Sequence, residues 1–552
     1  MRKAYIYYTV LSIILFNSYV AFGQSKAQAF EISKNLDIYA TLFKALNNNY
    51  VDEIKPGELN TTAMEAMLKT LDPYTVYIPE SRVEDAKFMT TGEYGGVGIS
   101  VVKRDSSIII SMVMDQSPAL DAGLLAGDEI VSIDGQLLSE KDDDEISMLL
   151  KGQPGTAIDV VIKRLGLAQS MTKQVVRRKI NVDAIPYYGM LDSTIAYVSL
   201  SSFTKKAARK VAKAYQDLQQ NHPKALIFDL RGNGGGLLNE AVDIMNLFIG
   251  KDVEVVRTKS RLRDKNYIYK TRRDGVDLEI PIVFLVDRNT ASASEILSGA
   301  AQDLDRAVIM GERTFGKGLV QNVIPLSFNA QLKVTIAKYY IPSGRCIQAI
   351  DYSHKDEDGN PVEVNDSLLV AFKTKGGRTV YDGRGIKPDV ITKKYEFGDL
   401  SNYLMKNFLI FDFSTQYRLT HDSIATPDKF EVDDELWTSF LDYLKDKEIS
   451  YQTDLEIDLE DLKAEAKREN KLDELKPIFD QLQQAIDEDK KDELLTKADE
   501  IKRIIKTDIV SRYYFSKGVI IANLFQDKTI AKAMDLLHHP DEYQKLLKAE
   551  EN

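Results

Sequence analysis

Cysteine and histidine are both scarce in this sequence of 552 residues. Cys346 is the only cysteine, so an intramolecular disulfide and a zinc site built from several thiolates are both excluded. No HExxH pattern and no cluster of histidine with cysteine supports a metal site, and no metal or cofactor is expected. None of the five histidines lies in the glycine- and serine-rich turns described below, which leaves a Ser-His-Asp triad without an obvious base (His222, His354, His421, His538, His539).

An excess of basic charge is missing as well. The chain has 84 acidic residues against 72 lysines and arginines, and it contains no long basic run. This balance argues against a nucleic-acid-binding protein that relies on a basic face. With 44% hydrophobic residues, the chain is long enough for several hydrophobic cores, and its length suggests three or four domains.

Long apolar runs are confined to the N-terminus. Arg2 and Lys3 precede an apolar run over residues 5–20, and Ala21-Phe22-Gly23 has the small-x-small pattern of a cleavage site. We therefore expect residues 1–23 to be a signal peptide cleaved after Gly23, and the protein to be exported, to the periplasm in a bacterium with two membranes. The alternative is an uncleaved membrane anchor, because residues 4–22 are almost long enough to span a bilayer. The exported protein would be soluble in the first case and membrane-associated in the second.

Residues 24–90 show apolar residues at helical spacing and are predicted to form a helical region without catalytic chemistry. Over residues 91–179 the pattern changes to short strands with glycine turns, and a helix is predicted to start at Ser117-Pro118. This order of elements resembles a PDZ domain. The resemblance implies that backbone N–H groups of one loop bind a peptide C-terminal carboxylate, and that the next strand pairs with the peptide (Gly95, Gly96, Val97, Gly98, Ile99). The alternative is that these glycines only make a tight turn.

Residues 180–396 alternate between strands and helices, as in an α/β core. We predict strands over residues 195–203 and 225–230 and helices over residues 205–220 and 237–249. A glycine turn, residues 232–236, joins the second strand to the second helix. A nucleotide site is a weak alternative for this turn, because it lacks the Gly-Lys-Ser/Thr ending of a P-loop and Leu237 replaces the third Rossmann glycine. A turn that presents backbone N–H groups to a reacting carbonyl explains the glycines better.

A serine lies at a second turn from strand to helix. The predicted strand over residues 281–287 is followed by the segment NTASASEI and an apolar-periodic helix, a setting that exposes a hydroxyl beside free helix N–H groups. Downstream, Lys317 stands between two glycines with Phe315, Leu319 and Val320 nearby, which we expect to exclude water. A lysine can act as a base only when it is neutral, and burial lowers its pKa. With histidine and cysteine set aside, a serine and a lysine are left as nucleophile and base.

The stretches DLRGNGGG, TASASEI, GERTFGKGLVQ and YYIPSGRCIQ together resemble those of the carboxyl-terminal processing proteases, serine peptidases of the S41 type with an inserted PDZ domain. The resemblance implies a multidomain α/β and α+β fold, in which helical regions at the N-terminus and at residues 397–552 flank the PDZ domain and an α/β peptidase core. It implies Ser292 as nucleophile, Lys317 as general base and Gln321 as the residue that positions this lysine. It also implies an oxyanion hole formed by the backbone N–H groups of Gly236 and Ala293.

The local sequence does not separate Ser292 from Ser294, which could simply hydrogen-bond its own turn. The family pattern does, since Ser292 lies three residues before Glu295, which matches the family's acidic position. Cys346 stands where the family commonly has serine, and we expect it not to be catalytic.

The resulting expectation is an exported serine endopeptidase that captures apolar C-terminal tails of polypeptides with its PDZ domain and cleaves them through an acyl-enzyme. The PDZ domain is expected to gate access to the site as well. The alternative is a PDZ-bearing scaffold that keeps a peptidase fold without turnover. The charged helices of residues 397–552 are either cover for the core or a platform for an adaptor protein or for homo-oligomerisation.

Overall fold

The computed structural model describes residues 27–356, 360–363, 369–393 and 395–549. The predicted signal peptide, residues 1–23, lies outside these residues. The chain divides into two compact units, Met1–Tyr77 and Ile78–Asn552. Among the described residues, no helix combines the length and the apolar character that crossing a membrane requires.

The first unit is helical, as predicted. Residues 27–49 form one helix and Pro56–Lys69 a second, which begins with a proline at its first position, where no intrahelical N–H is needed. The Tyr39 hydroxyl donates a hydrogen bond of 2.7 Å to Asn60 Oδ1. The strand Val76–Ile78 lies at the end of this unit.

The second unit opens with a 3-10 turn and the helix Val83–Thr91, and the predicted PDZ domain follows. The strand Glu93–Gly96 enters the domain and pairs antiparallel with Arg178–Asn181, which leaves it, so the chain enters and leaves at one place. Between them an antiparallel sheet forms, with two short helices against it (strand order Ile99–Arg104, Ser107–Val113, Glu129–Ile133, Ala157–Lys163, Met171–Val176, with Gln136–Leu137 on the third; helices Pro118–Asp121 and Asp143–Leu150). Ser117 caps the first helix, as its sequence predicted.

The predicted peptidase core is built on a six-stranded sheet, here called the core sheet, whose first strand is antiparallel and whose other strands are parallel (Tyr187–Met190, Ile195–Ser199, Ala225–Asp229, Ile282–Val286, Val308–Gly311, Val390–Ile391). The four central strands are almost continuously apolar, as is typical where both faces of a sheet are covered. One face packs against three helices in the largest hydrophobic cluster of the molecule (Ala207–Gln219, Leu238–Met245, Ala293–Asp303).

Two predicted elements of the core are shorter than expected. The strand over residues 195–203 ends at Ser199, because Phe203 instead pairs with the glycine turn and donates its N–H to the Gly235 carbonyl at 2.9 Å. The helix over residues 237–249 ends at Met245, because the Asn246 side chain bonds to the backbone of residues 272–273. In both places a contact distant in sequence overrides the local pattern.

A second sheet stands beside the core sheet and contains the lysine hairpin, our name for the strands Leu319–Pro325 and Gln331–Tyr340. The longer of these strands also pairs with Glu254–Lys259, and that strand pairs with Ile268–Lys270. Two short hairpins complete this part of the chain (Ile350–Lys355 with Pro361–Glu363, Ala371–Lys373 with Thr379–Tyr381).

The C-terminal region is helical, as predicted, but its helices serve different surfaces (Asp399–Lys406, Leu409–Thr420, Asp434–Leu444, Asp454–Arg468, Leu472–Lys491, Glu493–Thr496, Ala498–Leu524, Lys528–His538, Pro540–Leu546). Several of them enclose a core of their own around Phe413, Phe440 and Ile505. The last two helices cover the second face of the core sheet. Part of this region is therefore cover for the peptidase core.

The PDZ domain contacts the C-terminal helices directly. The Arg104 guanidinium donates to both carboxylate oxygens of Asp412, at 3.0 and 2.8 Å, and lies over the Phe408 ring. Ser516 contacts Met112 one residue after Phe515, where non-helical dihedrals kink the helix Ala498–Leu524. The two domains thus share an ion pair and a hydrogen bond from a hydroxyl to a thioether sulfur.

Tyr543 fastens the last helix to the core sheet, since its buried hydroxyl accepts from the Ile282 N–H and donates to the Ile282 carbonyl, both at 3.0 Å. Tyr543→Phe leaves both backbone groups buried without this partner, a loss of about 1–3 kcal/mol. We expect the thermal midpoint of unfolding to fall by about 1–3 degrees in differential scanning calorimetry, because the entropy of unfolding of a unit of this size is about 1 kcal/mol/K. Tyr188→Phe, which removes an exposed hydroxyl bonded to Asp217, is the matched control and should leave the midpoint almost unchanged. Equal midpoints for the two variants would contradict this role of Tyr543.

Candidate active site

Ser292 lies at the turn between the strand Ile282–Val286 and the helix Ala293–Asp303, here called the serine helix. Asp287 shapes the turn by accepting hydrogen bonds from the Asn289 N–H and the Thr290 hydroxyl, both at 3.0 Å. Ser292 itself has a positive φ of 57°, a conformation that costs a non-glycine residue about 1–3 kcal/mol. A strained serine at a turn from strand to helix is the geometry that exposes a nucleophilic hydroxyl.

The glycine turn packs against this serine turn through Asn233, which is fully buried. The Asn233 carbonyl accepts from the Ala291 N–H at 3.0 Å and from the Ser294 hydroxyl at 2.9 Å. Its side chain accepts from the Gly235 N–H and donates to the Leu200 carbonyl, both at 2.8 Å. Asn233 therefore joins the two turns, a role that the sequence analysis did not assign to it.

Gly235 is the point of closest approach between the two turns. A side chain on it would bring a carbon atom within 2.7 Å of the Ala291 carbonyl oxygen and 2.8 Å of Ser292 Cβ, and its φ is +100°. Only glycine fits here. The two predicted oxyanion-hole residues lie next to this contact, since Gly236 follows Gly235 and Ala293 is the first residue of the serine helix.

Ser294, the rival candidate for nucleophile, is fully buried. Its hydroxyl donates to the Asn233 carbonyl of the glycine turn, and not to its own turn as the alternative for this residue expected, so it helps to join the two turns. Cys346 is a free thiol whose pKa is raised above its usual value by burial, which disfavours the reactive thiolate.

Glu295 connects the serine turn to the segment that carries Lys317. One oxygen, Oε2, accepts from the backbone N–H of Ser292 at 2.8 Å and from that of Lys317 at 2.9 Å. The other, Oε1, accepts from the Gly316 N–H at 2.7 Å and from the Thr314 hydroxyl at 2.6 Å. Ser292 and Lys317 are thus brought together by a single carboxylate oxygen.

The Glu295 side chain is completely buried. Burial raises the pKa of Glu295 to about 7, although the four donors favour the charged form and act in the opposite direction. Hydrogen bonds to a charged acceptor contribute about 1.5–3 kcal/mol each. The carboxylate therefore fixes the backbone on both sides of the site.

Tyr339 makes a second connection between the same two residues. Its hydroxyl lies 3.1 Å from the Ser292 carbonyl oxygen and also contacts the Lys317 carbonyl oxygen as a hydrogen-bond donor. The ring is buried and belongs to the long strand of the lysine hairpin. Sequence analysis placed Tyr339 only within the motif YYIPSGRCIQ and assigned it no role.

Lys317 lies in the lysine loop, residues 312–318, which follows the strand Val308–Gly311. Residues 345–349 line this loop, since Gln348 Oε1 accepts from the Gly318 N–H at 2.7 Å and the Ala349 N–H donates to the Gly316 carbonyl at 2.9 Å. The expectation that Phe315 excludes water from the lysine is wrong. Its side chain is 48% exposed, because the loop backbone turns inward to Glu295 and directs the ring outward, whereas Leu319 is buried as expected.

Gln321 lies on the first strand of the lysine hairpin, two strand positions beyond Leu319. Its Nε2 donates to the Thr335 hydroxyl on the partner strand at 3.2 Å. This bond sets the orientation of the amide, with its nitrogen toward Thr335. Thr335 was not identified from the sequence, because its position opposite Gln321 depends on the register of the hairpin.

The residues predicted to bind a peptide in the PDZ domain fall into two groups. Gly95 and Gly96 pair with Lys179 and Arg178 in the strands where the chain enters and leaves. Val97, Gly98 and Ile99 line a groove of about 120 Å³ beside the helix Asp143–Leu150 (with Tyr94, Val101, Asp143, Ser147, Leu150 and Lys151). The lining is apolar at Val97, Ile99, Val101 and Leu150 and polar at Asp143, Ser147 and Lys151.

In the described part of the chain, no group of three or more His, Cys, Asp or Glu side chains is placed to bind a metal ion. The described residues bring together a half-buried serine, a lysine whose backbone N–H binds the same carboxylate oxygen, and the N–H groups of the glycine turn and of the serine helix. Such a set can carry out acyl transfer.

Sequence profiles of known families match three parts of the chain. Peptidase family S41 matches residues 194–354, a PDZ domain matches residues 109–164, and a domain described as "Probable PDZ-protease, C-terminal helical domain" matches residues 400–537. These ranges agree with the fold class predicted from the sequence. The profile of the helical domain shows that this region, too, has known relatives.

Individual relatives match more than half of the chain. The carboxy-terminal-processing protease of Bartonella bacilliformis is 36% identical over 321 residues, which are 57% of this chain and 73% of the relative. The carboxyl-terminal-processing protease of Synechocystis is 33% identical over 336 residues, 59% of this chain and 76% of the relative. The carboxy-terminal processing protease CtpB of Bacillus subtilis is 29% identical over 320 residues, 57% of this chain and 66% of the relative.

The role of Glu295 is tested by Glu295→Gln, which keeps the shape of the side chain but turns one of its two acceptor atoms into a donor. We expect Ser292 to react roughly 100-fold more slowly with a fluorophosphonate probe, since displacements of about 1 Å in an active site can cost this much. The labelling rate is measured by intact-protein mass spectrometry. Glu240→Gln is the matched control, because Glu240 also accepts two backbone N–H groups, at 2.9 and 2.8 Å, but in the helical layer. Equal labelling rates for Glu295→Gln and the wild-type protein would contradict the role.

Proposed function

Because this chain belongs to peptidase family S41, among the carboxy-terminal processing proteases, we propose that it is an exported serine endopeptidase that binds apolar C-terminal tails and cleaves the polypeptides that carry them. The observation that carries the proposal is the shared Glu295 oxygen, which holds Ser292 and Lys317 side by side. A serine with a neighbouring lysine needs neither histidine nor metal to cleave an amide.

Acylation in this proposal starts with neutral Lys317, whose amine takes the proton of the Ser292 hydroxyl. The serine oxygen attacks the peptide carbonyl, and a tetrahedral oxyanion forms. Lys317 then gives its proton to the leaving amine, and an acyl-enzyme with a Ser292 ester results. In the second half, Lys317 takes a proton from water, the hydroxide attacks the ester, and the product acid leaves while the proton returns to Ser292.

The oxyanion is assigned to the backbone N–H groups of Gly236 and Ala293. The Gly235 N–H is already bound by Asn233 Oδ1, so the next N–H of the turn is the better donor. Ala293 begins the serine helix, where the first N–H groups have no intrahelical acceptor and the helix dipole favours negative charge. Gln321 is assigned to orient the Lys317 amine through its side-chain carbonyl, with its amide nitrogen held by Thr335.

The PDZ domain supplies tail capture in this proposal, with the carboxylate at the loop of Val97 and Gly98 and the terminal side chain in the adjacent groove. Gating is supported by the contact between Arg104 and Asp412, because a domain that enters and leaves through one strand pair can pivot when this contact breaks. Export is proposed from residues 1–23, and cleavage after Gly23 is a proposal. An adaptor protein or a second copy bound to the C-terminal helices stays a proposal of the same kind.

Turnover is tested with an unfolded polypeptide that ends in apolar residues. Ser292→Ala and Lys317→Arg should abolish cleavage, since alanine cannot form the ester and a guanidinium group cannot accept a proton. Ser294→Ala should retain cleavage, at a reduced rate because Asn233 loses a hydrogen bond. Products are followed by gel electrophoresis and mass spectrometry. Cleavage by Ser292→Ala equal to wild type would refute the mechanism, and binding without cleavage by the wild-type protein would favour the scaffold.

A further inference from the structure

The lysine hairpin extends beyond the active site and exposes apolar side chains. Every residue from 322 to 329 is exposed, including Val323 at 42%, Ile324 at 41% and Phe328 at 92%. Successive residues of a strand point to opposite faces, so consecutive exposure means that solvent reaches both faces of the hairpin here. A stretch of this kind is not explained by packing within the chain.

The hairpin tip is also strained. Phe328 and Asn329 both have φ near 55°, and a bulky aromatic residue rarely adopts this left-handed conformation. Burial does not compensate for the strain at Phe328, because the side chain is almost entirely in solvent. Two consecutive left-handed residues are what a tight hairpin turn of type I′ requires, and here the Ala330 N–H donates to the Ser327 carbonyl at 3.3 Å; the turn thus explains the backbone but not the choice of an exposed phenylalanine.

The outer edge of this strand is open among the described residues. The strand Leu319–Pro325 pairs only with Gln331–Tyr340. Both Leu319 and Lys259 pair with Lys338, so the neighbouring strand Glu254–Lys259 lies on the opposite side of the hairpin. An open strand edge offers unpaired N–H and C=O groups that a further extended segment can bind.

Charge is absent from this edge. Residues 319–332 contain no acidic or basic residue, in a chain with 156 charged Asp, Glu, Lys and Arg residues among 552. An apolar edge without charges lacks the features that normally prevent edge-to-edge pairing. The one such feature present is Pro325, which has no N–H and ends the strand.

The edge is continuous with the catalytic residues. The strand begins two residues after Lys317 and contains Gln321, so the open edge starts at the general base and leads outward to the tip. With a rise of about 3.3 Å per residue, Ile324 lies about 10 Å along the strand from Gln321. A polypeptide that follows this edge inward arrives at Ser292 in the extended form that cleavage requires.

We propose that the open edge of the strand Leu319–Pro325 binds an extended, apolar segment of the substrate polypeptide as an added strand, and that Ile324 and Phe328 favour apolar over charged segments. This proposal rests on the proposed endopeptidase function and deepens it. The PDZ groove would select the tail, and the hairpin edge would select the segment near the cleaved bond. The proposed substrates are therefore unfolded chains that contain an apolar stretch near the cleaved bond, in addition to an apolar last residue.

The test uses Ile324→Lys and Phe328→Ser in the full-length protein with two substrates. The first is an unfolded polypeptide with an apolar tail, and the second is a fluorogenic peptide of about five residues that is too short to reach Ile324. We expect KM for the long chain to rise about tenfold, with kcat/KM for the short peptide and fluorophosphonate labelling of Ser292 unchanged. Ile268→Lys is the matched control, since Ile268 is 56% exposed on the opposite edge strand of the same sheet. It should leave both substrates unaffected.

A binding measurement separates failure of this proposal from failure of the proposed function. Fluorescence anisotropy of the labelled long chain with Ser292→Ala protein reports binding without turnover, and adding Ile324→Lys should weaken that binding about tenfold. Unchanged binding and unchanged KM, or equal losses with both substrates, would overturn the proposal. Two other results would also overturn the proposal. If the sedimentation mass rises with protein concentration and Phe328→Ser abolishes this rise, the edge binds a second copy of the chain. If the protein floats with phospholipid vesicles and Phe328→Ser abolishes the flotation, the edge binds a lipid surface. Absence of cleavage by the wild-type protein would refute the proposed function while the anisotropy still tests the edge.

Discussion

The structure of the site depends on one buried carboxylate. Glu295 lies on the first turn of the serine helix, and its two oxygens accept four hydrogen bonds from the serine turn and the lysine loop. Burying a carboxylate is costly unless it is fully hydrogen-bonded, so the surrounding backbone has little freedom to move. The proposed nucleophile and the proposed base are thereby positioned through their backbones.

The surrounding elements reinforce this constraint from separate directions. Asn233 holds the glycine turn against the serine turn, and Tyr339 contacts the carbonyl groups of Ser292 and Lys317. Gln348 holds the far end of the lysine loop. The strain at Ser292 is tolerated because these contacts over-determine its position. The lysine hairpin has two roles in this account, since its inner end carries Gln321 and Tyr339 while its outer end offers an edge to substrate.

Much of the fold was predictable because its signals are local. The apolar strands, the turns into helices and the capping serine at residue 117 can be recognised within windows of a few residues, and the family resemblance selected Ser292 over Ser294. The partners of Glu295 could not be predicted from the sequence, since Thr314 to Lys317 lie 19 to 22 residues away and their contact depends on how the strands assemble. Tyr339, 47 residues from Ser292, and the covering role of the last two helices are non-local in the same way.

The most direct test of the account is a double-mutant cycle between Glu295 and Tyr339, with the rate of Ser292 labelling by a fluorophosphonate as the readout. Both side chains hold the same two backbone segments. Removing the hydrogen bonds of one side chain should displace these segments, so that removing those of the other then slows labelling by less than it does in the wild-type protein. The account predicts that Glu295→Gln with Tyr339→Phe slows labelling by much less than the product of the single effects, a coupling of about 0.5–3 kcal/mol. Single effects that multiply in the double variant would show that the two residues act independently, and would contradict the claim that Ser292 and Lys317 are positioned as one unit.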